Sequence, residues 1–106
     1  MAIYFTIQQI KDANREIGHH WFDQGTIAFF RSRASGPVIG NMFVSSERGF
    51  DASEPRRYTI RLCTDGRIET VGEFQAYATK AQALRRINEI HTHELGIAAA
   101  ATQPKA

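Results

Sequence analysis

Apolar positions along this chain pass from a helical spacing to a strand-like alternation and back to a helical one. Ile7, Ile10 and Ile17 share one stripe with Asn14, which predicts a short amphipathic helix over about residues 7–17. Thr6 and Gln9 have the spacing of a capping box, and Phe5 and Ile10 that of a hydrophobic staple. Gly18 supplies the stop. Thr26 to Arg33 then alternates with a Phe on each face (Phe29 and Phe30), as in a strand covered on both sides. Ser35-Gly36-Pro37 reads as a turn, and Val38 to Ser45 as a second strand with a bulge at Gly40-Asn41. Ser46 to Pro55 reads as an irregular loop.

The sharpest pattern is Arg56 to Phe74, two β-runs joined at Asp65-Gly66. A two-residue loop would pair Leu62 with Glu69 and Arg61 with Thr70, setting an apolar side chain against a carboxylate. A three-residue loop, Thr64-Asp65-Gly66, pairs Leu62 with Ile68, Ile60 with Thr70 and Arg61 with Glu69. That register gives an apolar face of Tyr58, Ile60, Leu62, Ile68 and Phe74, and a solvated face with an opposite-charge pair. It is the register expected here.

A second capping box, Thr79 to Gln82, opens a helix whose stripe is Ala83, Leu84, Ile87, Ile90, His91 and Leu95, with Gly96 as its end. The order predicts an α+β fold, a four-stranded antiparallel meander flanked by an N-terminal and a C-terminal α-helix. Both helices on one sheet face is the simplest packing, and helices on opposite faces the alternative. Residues 1–96 form one domain, and 97–106 a disordered C-terminal tail.

Hydrophobic residues at 42% and charged residues at 23% place the chain among ordinary globular domains rather than disordered ones. No apolar run has the length of a membrane span, and the opening residues do not form a secretory signal. The single Cys63 excludes an internal disulfide, so a reduced, cytoplasmic setting is expected. A formal charge of +2 is mild, but most of the cations are Arg and they cluster: Arg31 with Arg33, Arg56 with Arg57 and Arg61, Arg85 with Arg86. Arginine favours planar, bidentate contact with carboxylate or phosphate.

Residue types that carry chemistry are present without a catalytic arrangement. His19 and His20 are adjacent and point apart on extended chain, so even with Asp23 nearby they make a poor chelate. His91 and His93 do not share a helix face. Cys63 has no base placed near it by spacing, and Ser45-Ser46-Glu47 lacks a nucleophile elbow. No Walker loop, dinucleotide fingerprint or zinc-protease motif occurs. A non-enzyme without metal or cofactor is expected. The aromatic load is heavy for the length, and rings beside arginines suit a protein interface or a nucleotide pocket. The candidate partner- or ligand-binding residues are Trp21, Arg31, Arg33, Arg56, Arg57, Tyr58, Arg61 and Phe74.

The segments His20-Trp21-Phe22, Ile27-x-Phe29-Phe30-x-Ser32-Arg33, Phe43-Val44-Ser45-Ser46-Glu47, Arg57-Tyr58-Thr59-Ile60-Arg61 and Asp65-Gly66-x-Ile68-x-Thr70-Val71-Gly72-Glu73-Phe74-Gln75-x-Tyr77 resemble small phage- and prophage-encoded proteins of unassigned function. The resemblance implies an accessory protein of a mobile element, acting in the host cytosol. Such proteins often work by stoichiometric binding, so the leading expectation is an anti-CRISPR-like inhibitor that binds a host defence complex. The alternative is a sponge that sequesters a nucleotide signal in an Arg- and aromatic-lined pocket. Nucleic-acid binding is a further alternative, disfavoured by the small and mixed charge. A hairpin edge or aromatic patch left exposed would allow a homodimer.

Overall fold

The computed structural model describes residues 2–22, 33–48 and 55–102, the last turns of the final helix as backbone alone. The elements are α1 (Ile7–Glu16), β1 (Arg33–Ile39), β2 (Met42–Glu47), β3 (Arg57–Thr64), β4 (Arg67–Val71) and α2 (Lys80–Thr102). The strands form one antiparallel sheet in the order β1-β2-β3-β4. Helix, four-stranded meander and helix is the architecture the sequence pattern predicts. Of the strand predicted over Thr26 to Arg33, residues 26–32, with Phe29, Phe30 and Arg31, lie outside the described residues, as do Asp23, residues 49–54 and residues 103–106, while Arg33 opens β1.

The two helices lie on opposite faces of the sheet. Met42, Val44 and Ile60 pack with Ala83 and Ile87 of α2, joined by Ile39, Tyr58, Leu62, Val71, Leu84 and Ile90. Phe43 and Cys63 pack on the other face with Ile10 of α1, joined by Tyr4, Ile7, Trp21, Phe22 and Ile68. Alternate residues of a strand point to opposite faces, so two covered faces bury every position of β2. Among the described residues no helix is long and apolar enough to cross a membrane.

Both helix starts follow the sequence signals. Thr6 Oγ1 accepts from Gln9 N–H while Gln9 Oε1 accepts from Thr6 N–H. Thr79 and Gln82 repeat the exchange at α2. The expected staple is not made, because Phe5 is 72% exposed while Ile10 packs on the sheet. At the end of α1, Gly18 takes φ +80° and its N–H reaches Arg15 O, while His19 N–H reaches Asn14 O. This is a Schellman ending, for which a residue without Cβ is favoured. Gly96 does not end α2, which runs on to Thr102. Alanines 98–101 are the strongest helix formers, and a single internal glycine costs only ~1 kcal/mol.

The strand limits differ from expectation because the turn sits elsewhere. Gly40 and Asn41 are not a bulge; both have positive φ and form a two-residue turn between β1 and β2. Ser35-Gly36-Pro37 lies inside β1, where a register shift occurs, and an edge strand tolerates proline there. β2 continues through Ser46 and Glu47, which the pattern assigns to a loop.

The β3–β4 register is also corrected. Leu62 pairs with Glu69, Arg61 with Thr70 and Cys63 with Ile68, across a two-residue Asp65-Gly66 turn. The other register requires one solvated face. Here both faces are covered: Ile68 joins buried Cys63 on the α1 face, while Glu69 is exposed on the edge strand. The docking of the turn fixes the choice. Asn14 Nδ2 donates to Gly66 O at 2.8 Å, and a Cβ on Gly66 would lie 2.7 Å from Ala13 O. The N-terminal segment ties this turn to the other one: Ala2 N–H donates to Asp65 Oδ1, while Asn41 bonds Tyr4 N–H and Ala2 O.

Two glycines with similar φ therefore respond differently to alanine. Gly72→Ala meets open space and carries only the left-handed backbone cost of about 1–2 kcal/mol. Gly66→Ala adds a clash with the backbone of α1 and is expected to lose more stability in urea unfolding.

Candidate functional site

Arg61 lies in the centre of β3 and projects onto the α1 face, beyond the part that α1 itself covers. Its Cα partner is Phe43, and its long side chain runs along β2 to reach the residues that follow. The guanidinium donates to Ser45 Oγ at 2.9 Å, to Glu47 Oε1 at 3.0 Å and to Thr70 Oγ1 at 2.6 Å. Ser45 Oγ also donates to Glu47 Oε1, and Thr59 Oγ1 donates to Glu47 Oε2 at 2.8 Å. Ser45, Glu47 and Thr59 are fully buried and Arg61 is 7% exposed. A buried ion pair is tolerated only when its remaining donors and acceptors are satisfied, and the alternation of β2 and β3 supplies those hydroxyls.

Two rings from distant parts of the chain lie against this charge. The Trp21 ring lies 5.3 Å from the Arg61 guanidinium carbon and the Phe74 ring 5.4 Å from it. Trp21 is held in place: its backbone N–H donates to Asn14 Oδ1 at 2.6 Å, and its ring meets Phe22 and Phe43 edge-on. Phe74 is carried by the segment after β4. Gln75 takes φ +57°, its N–H donates to Thr59 Oγ1 at 2.8 Å, and its backbone carbonyl accepts from Arg57 Nε at 2.7 Å. Arg57 also reaches Ala76 O, and Tyr77 exchanges backbone bonds with Tyr58. Phe74 thus remains 41% exposed on a fixed mount.

The residues singled out from sequence divide in two. Trp21, Arg61 and Phe74 meet in one stack, and Arg57 borders it. The predicted Arg61–Glu69 pair is not formed, since the register gives Arg61 Thr70 as its neighbour on β4. Tyr58 turns to the α2 face and packs into that core. Arg33 and Arg56 lie on the α2 side beside Ser46. Arg31 lies outside the described residues.

Ser45, Glu47, Thr59 and Thr70 were not among those candidates. Only their alternation on β2 and β3 with Phe43 and Arg61 could have revealed them, and it becomes informative once the strands are paired. The remaining nucleophile is closed off. Cys63 is 0% exposed, and burial pushes its thiol pKa above the ordinary 9.0, against the lowering by the Gly66 backbone and Tyr4 hydroxyl.

The family assignment agrees in extent with this unit. Residues 6–88, from the first helix cap to the core turns of α2, match the model of DUF7447, a family of unknown function. The chain belongs to that family. No curated protein and no solved structure matches it. In this DUF7447 protein the matched region holds the whole Arg61 network and both of its ring walls.

Removing one partner of the buried pair should be far worse than removing both. Arg61→Ala leaves Glu47 as an uncompensated buried charge, at a cost of about 3–5 kcal/mol in denaturant unfolding. The double change Arg61→Met with Glu47→Leu should lose less than Arg61→Ala alone.

Cys63 gives a pH test. Its folded pKa is raised, so its contribution is complete below the unfolded value of 9.0 and is lost as pH rises through the folded value. Tyr4, raised chiefly by desolvation, acts in the same sense above its ordinary 10.0. Stability should fall on going from about pH 8 to about pH 10, and Cys63→Ala should flatten part of that fall. A thiol reagent should label the native protein slowly and the urea-unfolded protein at once.

Proposed function

We propose that this protein is a stoichiometric binding module rather than an enzyme, and that it recognises a protein surface through the Phe74–Arg61 stack. The observation that carries the reading is a half-exposed aromatic ring mounted on an immobilised, buried guanidinium. Interface anchors are commonly aromatic or Arg residues, and a side chain already held in place loses little further freedom on binding. Arg57 is exposed beside the stack and is held by the Gln75 and Ala76 carbonyls, which gives the ring a cationic rim. The groups with chemical potential lie beneath it: Ser45 and Glu47 are engaged with Arg61, and Cys63 is fully buried.

The partner proposed is a host defence complex, inhibited in an anti-CRISPR-like manner by occupation of one of its surfaces. The sequence likeness to small phage and prophage proteins supports that setting, and the rigid stack supports recognition without turnover. The protein would then act in the cytosol of a host cell, at a ratio of one molecule per site blocked.

Affinity capture with the folded chain and its Phe74→Ala variant tests this. The native chain should retain a host protein at moderate salt, and Phe74→Ala should lose it while keeping its far-ultraviolet spectrum and a cooperative unfolding transition. Retention of the same protein by both, or of none by the native chain at several salt concentrations, would refute the proposal.

A further inference from the structure

We propose that this protein forms a twofold-symmetric dimer by pairing β4 of one copy with β4 of a second. The two edges of the sheet differ. β1 carries Pro37 and a register shift between Ser35 and Ile39, devices that blunt an edge against further pairing. β4 lies at the other end of the strand order, and its pairing runs without a shift from Arg67 to Val71. Among the described residues no strand lies against its outer side.

The backbone groups that β4 offers follow from its pairing with β3. Tyr58 exchanges backbone bonds with Tyr77 on the β4 side of β3, whereas Cys63 N–H donates to Asn41 O on the β2 side. Even-numbered residues of β3 therefore bond towards β4, and their partners Arg67, Glu69 and Val71 bond inward. Ile68 and Thr70 turn their N–H and C=O groups outward. A twofold partner in antiparallel register can then centre on Ile68, Glu69 or Thr70.

Side-chain charge separates the three. Centring on Glu69 sets two carboxylates directly opposite each other, which is destabilising. Centring on Thr70 opposes Glu69 with the apolar Val71. Centring on Ile68 opposes Arg67 of each copy with Glu69 of the other, so that two opposite-charge pairs form at positions where side chains approach most closely. Both residues are exposed, and their neighbours on β3 are Thr64 and Leu62, which carry no charge to compete. Among the described residues neither Arg67 nor Glu69 is in an ion pair. On the α1 face the same register sets Ile68 against its counterpart. Ile17, which approaches Gly66 beside this edge, is 42% exposed and adds apolar surface there. Phe74 lies past the end of β4, outside the paired positions, so each copy keeps its own stack.

The paired segment is short, so the dimer is weak and its population rises with concentration. Sedimentation equilibrium of the full chain over a concentration series should show reversible monomer–dimer exchange. Arg67→Glu or Glu69→Arg alone sets like charges opposite each other at two places and should weaken the dimer roughly tenfold or more. Arg67→Glu combined with Glu69→Arg should restore it, as should an equimolar mixture of the two single variants. Both positions are exposed, and a native far-ultraviolet spectrum checks the fold of each variant. Amide exchange in the unsubstituted chain gives a second readout. The Ile68 N–H should gain protection as concentration rises, while the inward Glu69 N–H is protected throughout. A chain that stays monomeric at every concentration, a dimer indifferent to the single reversals, or one that the double reversal fails to restore would overturn the proposal. So would Ile68 exchange that does not change with concentration.

Discussion

A carboxylate and a guanidinium buried together on one face of a sheet constrain nearly everything around them. Glu47 and Arg61 lie where water cannot solvate them, so their bonding capacity has to be met by the protein. Ser45, Thr59 and Thr70 meet it because each falls on the same face of its strand and within reach. That demand fixes the pairing of β3 with both neighbours, since a slip by one residue would turn Thr70 or Ser45 to the wrong side. It also calls for cover. Trp21, delivered by the turn after α1, and Phe74, delivered by the segment after β4, both lie against the guanidinium.

The helices were legible because their signals are local. Thr6 with Gln9, Thr79 with Gln82 and the glycine after α1 act within a few residues, and each does in space what its spacing implies. The sheet was legible in count and order but not in register. Choosing a register from side-chain polarity requires knowing which faces meet solvent, and the Arg61 face looks solvated until Trp21 and Phe74 are laid over it. Gly40-Asn41 and Gly36-Pro37 show the same limit. Either pair can turn a chain, and the closure of Ile39 onto Met42 decides between them. Trp21, Arg61 and Phe74 could be named as types worth watching, whereas Glu47 could not, because its importance arises from burial.

The sheet separates two electrostatic situations by the thickness of one strand layer. On the α1 face a positive side chain is matched by a carboxylate and shielded by rings. On the α2 face Ser46 has Arg33 as its neighbour on β1 and accepts a hydrogen bond from Arg56. Adjacent residues of β2 serve these opposite regimes, Glu47 and Ser45 facing one way and Ser46 the other. A strand with both faces covered can thus hold unlike polar surroundings on consecutive residues.

The first residues close a circuit through the whole unit. Ala2 reaches Asp65 across 63 positions of sequence, and Asn41 grips the intervening peptide from the other hairpin. Such a clasp can engage only after both hairpins exist and have been set side by side, so it ratifies assembly rather than initiating it. Anything fused ahead of Ala2 would hang from the sheet end where both turns converge, remote from the Phe74 stack.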